Sequence, residues 1–147
     1  MIIFLDFDGV LTTPNTKYQD ADPVCLENLK EIITNLDAKL VISSTWKHIQ
    51  DVIPVLERWG LIQYYLDVTP NLEVESNGVI KTLGKEYEIY HWLRDNPDYE
   101  YLILDDEYML NDDLMRHLLK IDGEKGVQDW DIARASLLYT ILYPKQP

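Results

Sequence analysis

The sequence predicts an α/β fold, a single doubly wound domain with a parallel sheet and helices on both faces. Three observations lead there. Short unbroken apolar runs alternate with segments whose apolar residues recur at helical spacing. Three of the runs end in polar clusters, Asp6/Asp8, Ser43/Ser44/Thr45 and Asp105/Asp106. The 147 residues suit one domain with its own core, so residues 1–147 are read as a single unit.

Met1 to Leu5 is the first run, the pattern of a strand buried on both sides. Gly9 and the stretch Thr12 to Asp22, with Pro14 and Asn15, read as a loop or small hairpin over the end of that strand. Asp22-Pro23 has the form of an N-cap followed by a first-turn proline, and Leu26, Leu29, Ile33 and Leu36 carry the helix behind it. Lys39 to Ile42 is the second strand. Trp46, Ile49, Val52 and Ile53 resume a helical pattern, which Pro54 should kink or split because it cannot donate an interior hydrogen bond.

Tyr64 to Val68 reads as a third strand stopped by Thr69-Pro70, and residues 71–82 as irregular with a short extended pair around Asn77-Gly78. Lys85 to Arg94 is helical and closed by Asn96-Pro97, and Tyr101 to Leu104 is a buried strand running into Asp105-Asp106. Arg116 to Ile121 fits a strand, with a helix through Leu114 and Leu118 as the alternative. Val127, Ala133, Leu137 and Ile141 mark a last amphipathic helix. Trp46, Trp59, Trp92 and Trp130 read as packing residues, with Trp46 placed to line a pocket; Cys25 also reads as packing.

Composition narrows the possible roles. The net charge of −13 repels polyanions at long range, so broad nucleic-acid binding is not expected. Charges interrupt every apolar run, which leaves no membrane span, and Ile2 to Leu5 is too short for a signal peptide. A lone cysteine fits a reducing compartment, and a cytoplasmic location is expected. His48, His91 and His117 are scattered and make no zinc pattern.

In a parallel sheet, ligands sit beyond the carboxyl ends of the strands. The three polar clusters should therefore converge on one rim, with Asp6 and Asp8 pointing the same way if the backbone stays extended. Gathered carboxylates repel one another unless a cation sits among them, and oxygen-only ligands favour a hard ion such as magnesium. Hydroxyls and a lysine beside them suit phosphoryl transfer.

These residues resemble the haloacid dehalogenase-like (HAD) superfamily, whose Rossmann-like domain carries four motifs. Asp6-Phe7-Asp8-Gly9-Val10-Leu11-Thr12 looks like the first, Val41-Ile42-Ser43 like the second, Lys85 like the third and Leu102 to Asp106 like the paired-acid fourth. The resemblance implies a Mg2+-dependent phosphatase in which Asp6 is the nucleophile and Asp8 the general acid/base. Ser43, Ser44, Lys85 and Gly9 would bind the phosphoryl group. Asp6, Asp8 through its carbonyl, Asp105 and Asp106 would hold the metal. Lys81 is the substitute for Lys85. Ser43 to Thr45 also fits a helix N-cap, and Asp112-Asp113 a helix cap rather than a metal site.

Neither gap between motifs has room for a full cap domain, so an open site is expected. The Ser-Ser-Thr-Trp run resembles small capless members, some found beside RNA-repair enzymes. The expected partner is a phosphorylated substrate of unspecified class, with a homo-oligomer as one way to cover the site. Thr12 to Asp22, with Lys17 and Tyr18, is the expected substrate-reading flap. A polynucleotide-end phosphatase and a non-catalytic binding module remain the alternatives.

Overall fold

The computed structural model describes residues 1–145. Five parallel strands form the sheet: β1 (Ile2–Leu5), β2 (Lys39–Ile42), β3 (Tyr65–Val68), β6 (Tyr101–Asp105) and β7 (Leu118–Lys120), in the order β3-β2-β1-β6-β7. Strands β4 (Glu73–Ser76) and β5 (Val79–Thr82) pair only with each other, as an antiparallel hairpin. The helices are α1 (Pro23–Leu36), α2 (Ile53–Arg58), α3 (Lys85–Asp95), α4 (Asp112–Arg116) and α5 (Asp129–Leu142).

Strand β1 explains why its sequence is apolar throughout. Ile3 and Leu5 enter one core with residues of α1, α2 and α5, while Ile2 and Phe4 enter a second with Ile89 and Trp92 of α3 and Leu114 of α4. Period-two alternation thus feeds two cores, each under a helical layer. Strand order reverses at β1, which lies between β2 and β6, and the crevice beyond its carboxyl end is the expected ligand position.

Local signals account for most boundaries. Asp22 caps α1, its Oδ1 accepting from the Val24 and Cys25 amides at 2.8 and 3.3 Å, with Pro23 in the first turn. Pro54 divides the pattern after β2: a 3-10 turn covers Thr45–His48, and α2 begins separately with Pro54 in its first turn. Asn77 and Gly78 both have positive φ, 53° and 78°, as a two-residue hairpin turn requires. Of the two readings of Arg116 to Ile121, the strand holds over Leu118–Lys120 as β7, while the helix takes in Leu114 but ends at Arg116, before Leu118. Asn111 caps α4, and Asp112 and Asp113 occupy its first turn.

The last helix corrects the expected stripe. Ala133, Leu137 and Ile141 lie on its exposed side, and Val127 is buried just ahead of it. Ala135, Ile132, Leu138 and Leu142 face the core instead. Helix α5 is apolar on two sides, so periodicity alone does not choose between them. The choice follows its N-terminal capping box, in which the buried Asp131 carboxylate accepts from the Gln128 amide at 2.8 Å and turns its own face inward. Trp130 is half exposed on the outer side, while Trp46, Trp59, Trp92 and Cys25 are buried.

Candidate active site

Parallel register builds the rim. Leu5 of β1 lies abreast of Ile42 of β2 and Leu104 of β6, so the next residue on each strand is Asp6, Ser43 or Asp105. The Ser43 amide donates to the Leu5 carbonyl at 3.0 Å, and the Asp6 amide to the Leu104 carbonyl at 3.2 Å. Three central strands thereby deliver a carboxylate, a hydroxyl and a second carboxylate at one level, all buried.

Asp6, Asp105 and Asp106 each offer one oxygen, and these oxygens lie within 4.8 Å of one another. The Lys85 ammonium, at the start of α3, donates to Asp105 at 2.8 Å and sits 3.2 Å from Asp6. Lys81, the substitute lysine, is exposed on β5. Burial, and then the charge of Asp105, push the Asp6 carboxyl up to about 8, against the opposing pull of Lys85. Asp106 is raised by the same two causes in the same order. The paired carboxylates raise Lys85 despite its burial. One lysine among three aspartates leaves surplus negative charge, and the donor set is all carboxylate oxygen, so the cluster is fit to hold a metal ion.

Asp8 is placed differently from Asp6. The strand ends at Leu5, and the chain turns through Gly9, so the extended backbone that would point both aspartates one way does not persist. Asp8 is exposed, and its side chain lies outside the metal-fit cluster. Its Oδ1 accepts from the Thr12 hydroxyl and its Oδ2 from the Trp46 indole Nε1, each at 2.9 Å. Sequence reasoning brought Trp46 to the pocket but did not supply this bond, and it gave Thr12 no role.

Gly9 is required by space. With φ of 78°, a Cβ here would come within 2.2 Å of Asp106 Oδ2, and one on Gly123 within 2.6 Å. The Gly9 amide donates to the Thr12 carbonyl at 2.9 Å, in a turn that makes room for Asp106. Ser44 caps the 3-10 turn, its Oγ accepting from the Trp46 amide at 3.2 Å. Ser43 Oγ is fully buried and without a hydrogen-bond partner among the described residues.

The family model described as the HAD domain in Swiss Army Knife RNA repair proteins matches residues 2–132. The chain belongs to this HAD family. Searches of the curated proteins and of the solved structures found no match.

Beside the cluster, sharing Lys85 with it, this HAD domain opens a cleft of about 510 Å³, lined by Asp8, Tyr18, Trp46, Ile49, Thr82 and Lys85 among others. Tyr18 comes from the Thr12–Asp22 loop and Thr82 from the end of the β4-β5 hairpin, which is the one insertion between β3 and α3 and is exposed along both strands. A buried ion pair braces the wall: Lys47 donates to Glu88 and to the Thr69 hydroxyl, both at 2.7 Å. Glu88 lies one turn beyond Lys85 on α3, so the pair ties the turn after β2 to the helix that carries the lysine. Among the described residues, no helix is long and apolar enough to cross a membrane.

Proposed function

We propose that this HAD domain is a magnesium-dependent phosphomonoesterase working through an aspartyl-phosphate. The reading is carried by the cluster at the rim: three carboxylates within 4.8 Å, a lysine bridging two of them, and an unpartnered serine hydroxyl abreast. Asp6, Asp105 and Asp106, with the Asp8 carbonyl, are the groups that would hold magnesium. The bound ion supplies charge neutralisation for phosphoryl oxygens.

Asp6 attacks phosphorus, the ester P–O bond breaks, and Asp8 gives its proton to the departing oxygen. Water then attacks the phosphorus of the aspartyl-phosphate, returning a proton to Asp8 and releasing inorganic phosphate with Asp6 regenerated. Ser43 Oγ donates to a phosphoryl oxygen, and Lys85 offsets charge on that group and on Asp6. Burial that disfavours an uncompensated Asp6 anion suits a nucleophile that is ionised only when the cation is in place.

The test is hydrolysis of 4-nitrophenyl phosphate with and without magnesium, for the wild type and Asp6→Asn. Magnesium-dependent release that the substitution abolishes supports the reading. Metal-independent release, or a fully active variant, sinks it.

A second reading, a phosphatase for polynucleotide ends, is favoured by the family description. The net charge of −13 directs that reading toward a single bound end rather than a long basic track. Salt-sensitive, saturable turnover of a 3'-phosphorylated oligonucleotide, at lower KM than the aryl phosphate, would support it.

A further inference from the structure

Asp8 must present its proton along one direction, yet it is an exposed side chain just past the end of a strand. Two neutral donors hold it, and they are not equivalent. The Thr12 hydroxyl can rotate and accept as readily as donate, whereas an indole N–H only donates. Oδ2 therefore remains an acceptor from Trp46 in both protonation states of the carboxyl, with a second lone-pair site free for the proton.

The indole is itself fixed. Trp46 meets Phe7 edge to face at 5.2 Å and Trp59 at 5.5 Å, and its backbone amide is capped by Ser44. Phe7 is the residue between the two aspartates, and it also packs on Trp59 at 4.9 Å. Trp46 thus packs directly on the residue that follows Asp6 in the chain.

We propose that Trp46 is the positioning residue for the general acid, its Nε1–H aiming Asp8 at the leaving-group oxygen, and that it sets how well the enzyme handles poor leaving groups. The inference rests on the phosphomonoesterase reading. General acid help grows as the leaving group becomes more basic: a nitrophenolate departs nearly unaided, whereas a methylphenolate gains much from a proton. A residue that merely supports the fold would lower both reactions alike.

The experiment compares kcat/KM for 4-nitrophenyl and 4-methylphenyl phosphate in the full chain with magnesium, for the wild type and Trp46→Phe, which keeps an aromatic ring but no donor. Positioning predicts a loss of about 10- to 100-fold on 4-methylphenyl phosphate, part of the usual span of general acid catalysis, and within about 3-fold on the nitro ester. Equal losses on both esters, or no loss on either, overturn the proposal. The tether is read independently of turnover from the Trp46 indole N–H resonance in ¹⁵N-labelled protein. Asp8→Ala should displace it and leave that of Trp92, which donates to Asp67 at 2.7 Å, in place. An unmoved Trp46 signal overturns the proposal even where activity is intact. Wild-type inertness toward both esters with a displaced signal counts instead against the phosphomonoesterase reading.

Discussion

Asp6→Asn removes the proposed nucleophile, and it should also stabilise the metal-free protein at alkaline pH. Asp6 is 5% exposed, and its carboxyl is raised from 3.8 to about 8. A carboxyl raised on folding holds its proton in the folded chain while the unfolded chain has lost it. The stability this gives is fully present below the unfolded value and is lost as pH rises through the folded one. At 1.36 kcal/mol per pK unit, a rise of roughly four units sets a ceiling of about 6 kcal/mol on that loss. Asparagine carries no charge at any of these pH values, but it forfeits the 3.2 Å contact with Lys85, which offsets part of the gain. About three of these units lie between pH 5 and the folded value, so we expect the variant's advantage to grow by up to about 4 kcal/mol between pH 5 and pH 9. Urea unfolding in EDTA at pH 5, 7 and 9, followed by tryptophan fluorescence, measures it. Magnesium at pH 9 should narrow the gap by stabilising the wild type. A difference that stays constant from pH 5 to pH 9 would refute the reasoning, because it would mean that Asp6 is ionised in the folded protein throughout.

Three further outcomes are expected. Lys85→Ala strips the buried carboxylates of their cation and should cost about 3–5 kcal/mol in EDTA, with magnesium recovering part of it; equal losses with and without magnesium in urea melts would argue against a shared charge balance. Ser43→Ala removes a hydroxyl that bonds nothing within the protein, so thermal stability should hold within about 1 kcal/mol while kcat/KM for 4-nitrophenyl phosphate falls about 10- to 100-fold, the worth of a hydrogen bond to a charged group. Gly9→Ala forces a methyl to within 2.2 Å of Asp106 at a φ of 78°, and a fall of about 2 kcal/mol or more is expected by thermal unfolding, along with weaker magnesium binding by calorimetry.

What could be read from the sequence follows a physical division. Strand ends were legible because a run such as Ile2–Leu5 has no polar residue to place, and Asp6 or Asp105 directly after such a run has little structural reason to be there. Local caps were legible as well: Asp22-Pro23 announces α1 within its own few residues. Features set by distant partners were not. The Trp46–Asp8 bond and the Lys47–Glu88 pair each join segments about forty residues apart, and no spacing rule connects them. The face of α5 was misread because both sides carry apolar residues, and the deciding contact is the buried Asp131, a residue that pattern reading assigns to solvent. The room that Gly9 leaves for Asp106 was not legible either, because the two lie far apart along the chain.

The parallel strand pairing has a consequence for how activity is acquired. β1 pairs with β2 and β6, in every case across a crossover, so Asp6, Ser43 and Asp105 come level only when long stretches of chain have closed on one another. Such non-local closure is the slow part of folding. A chain with native helices but an unfinished sheet would scatter these groups over separate segments and hold no fraction of the centre. During refolding, catalytic competence should therefore appear with the slowest phase, well after helical content has recovered, which makes turnover a strict reporter of the completed sheet.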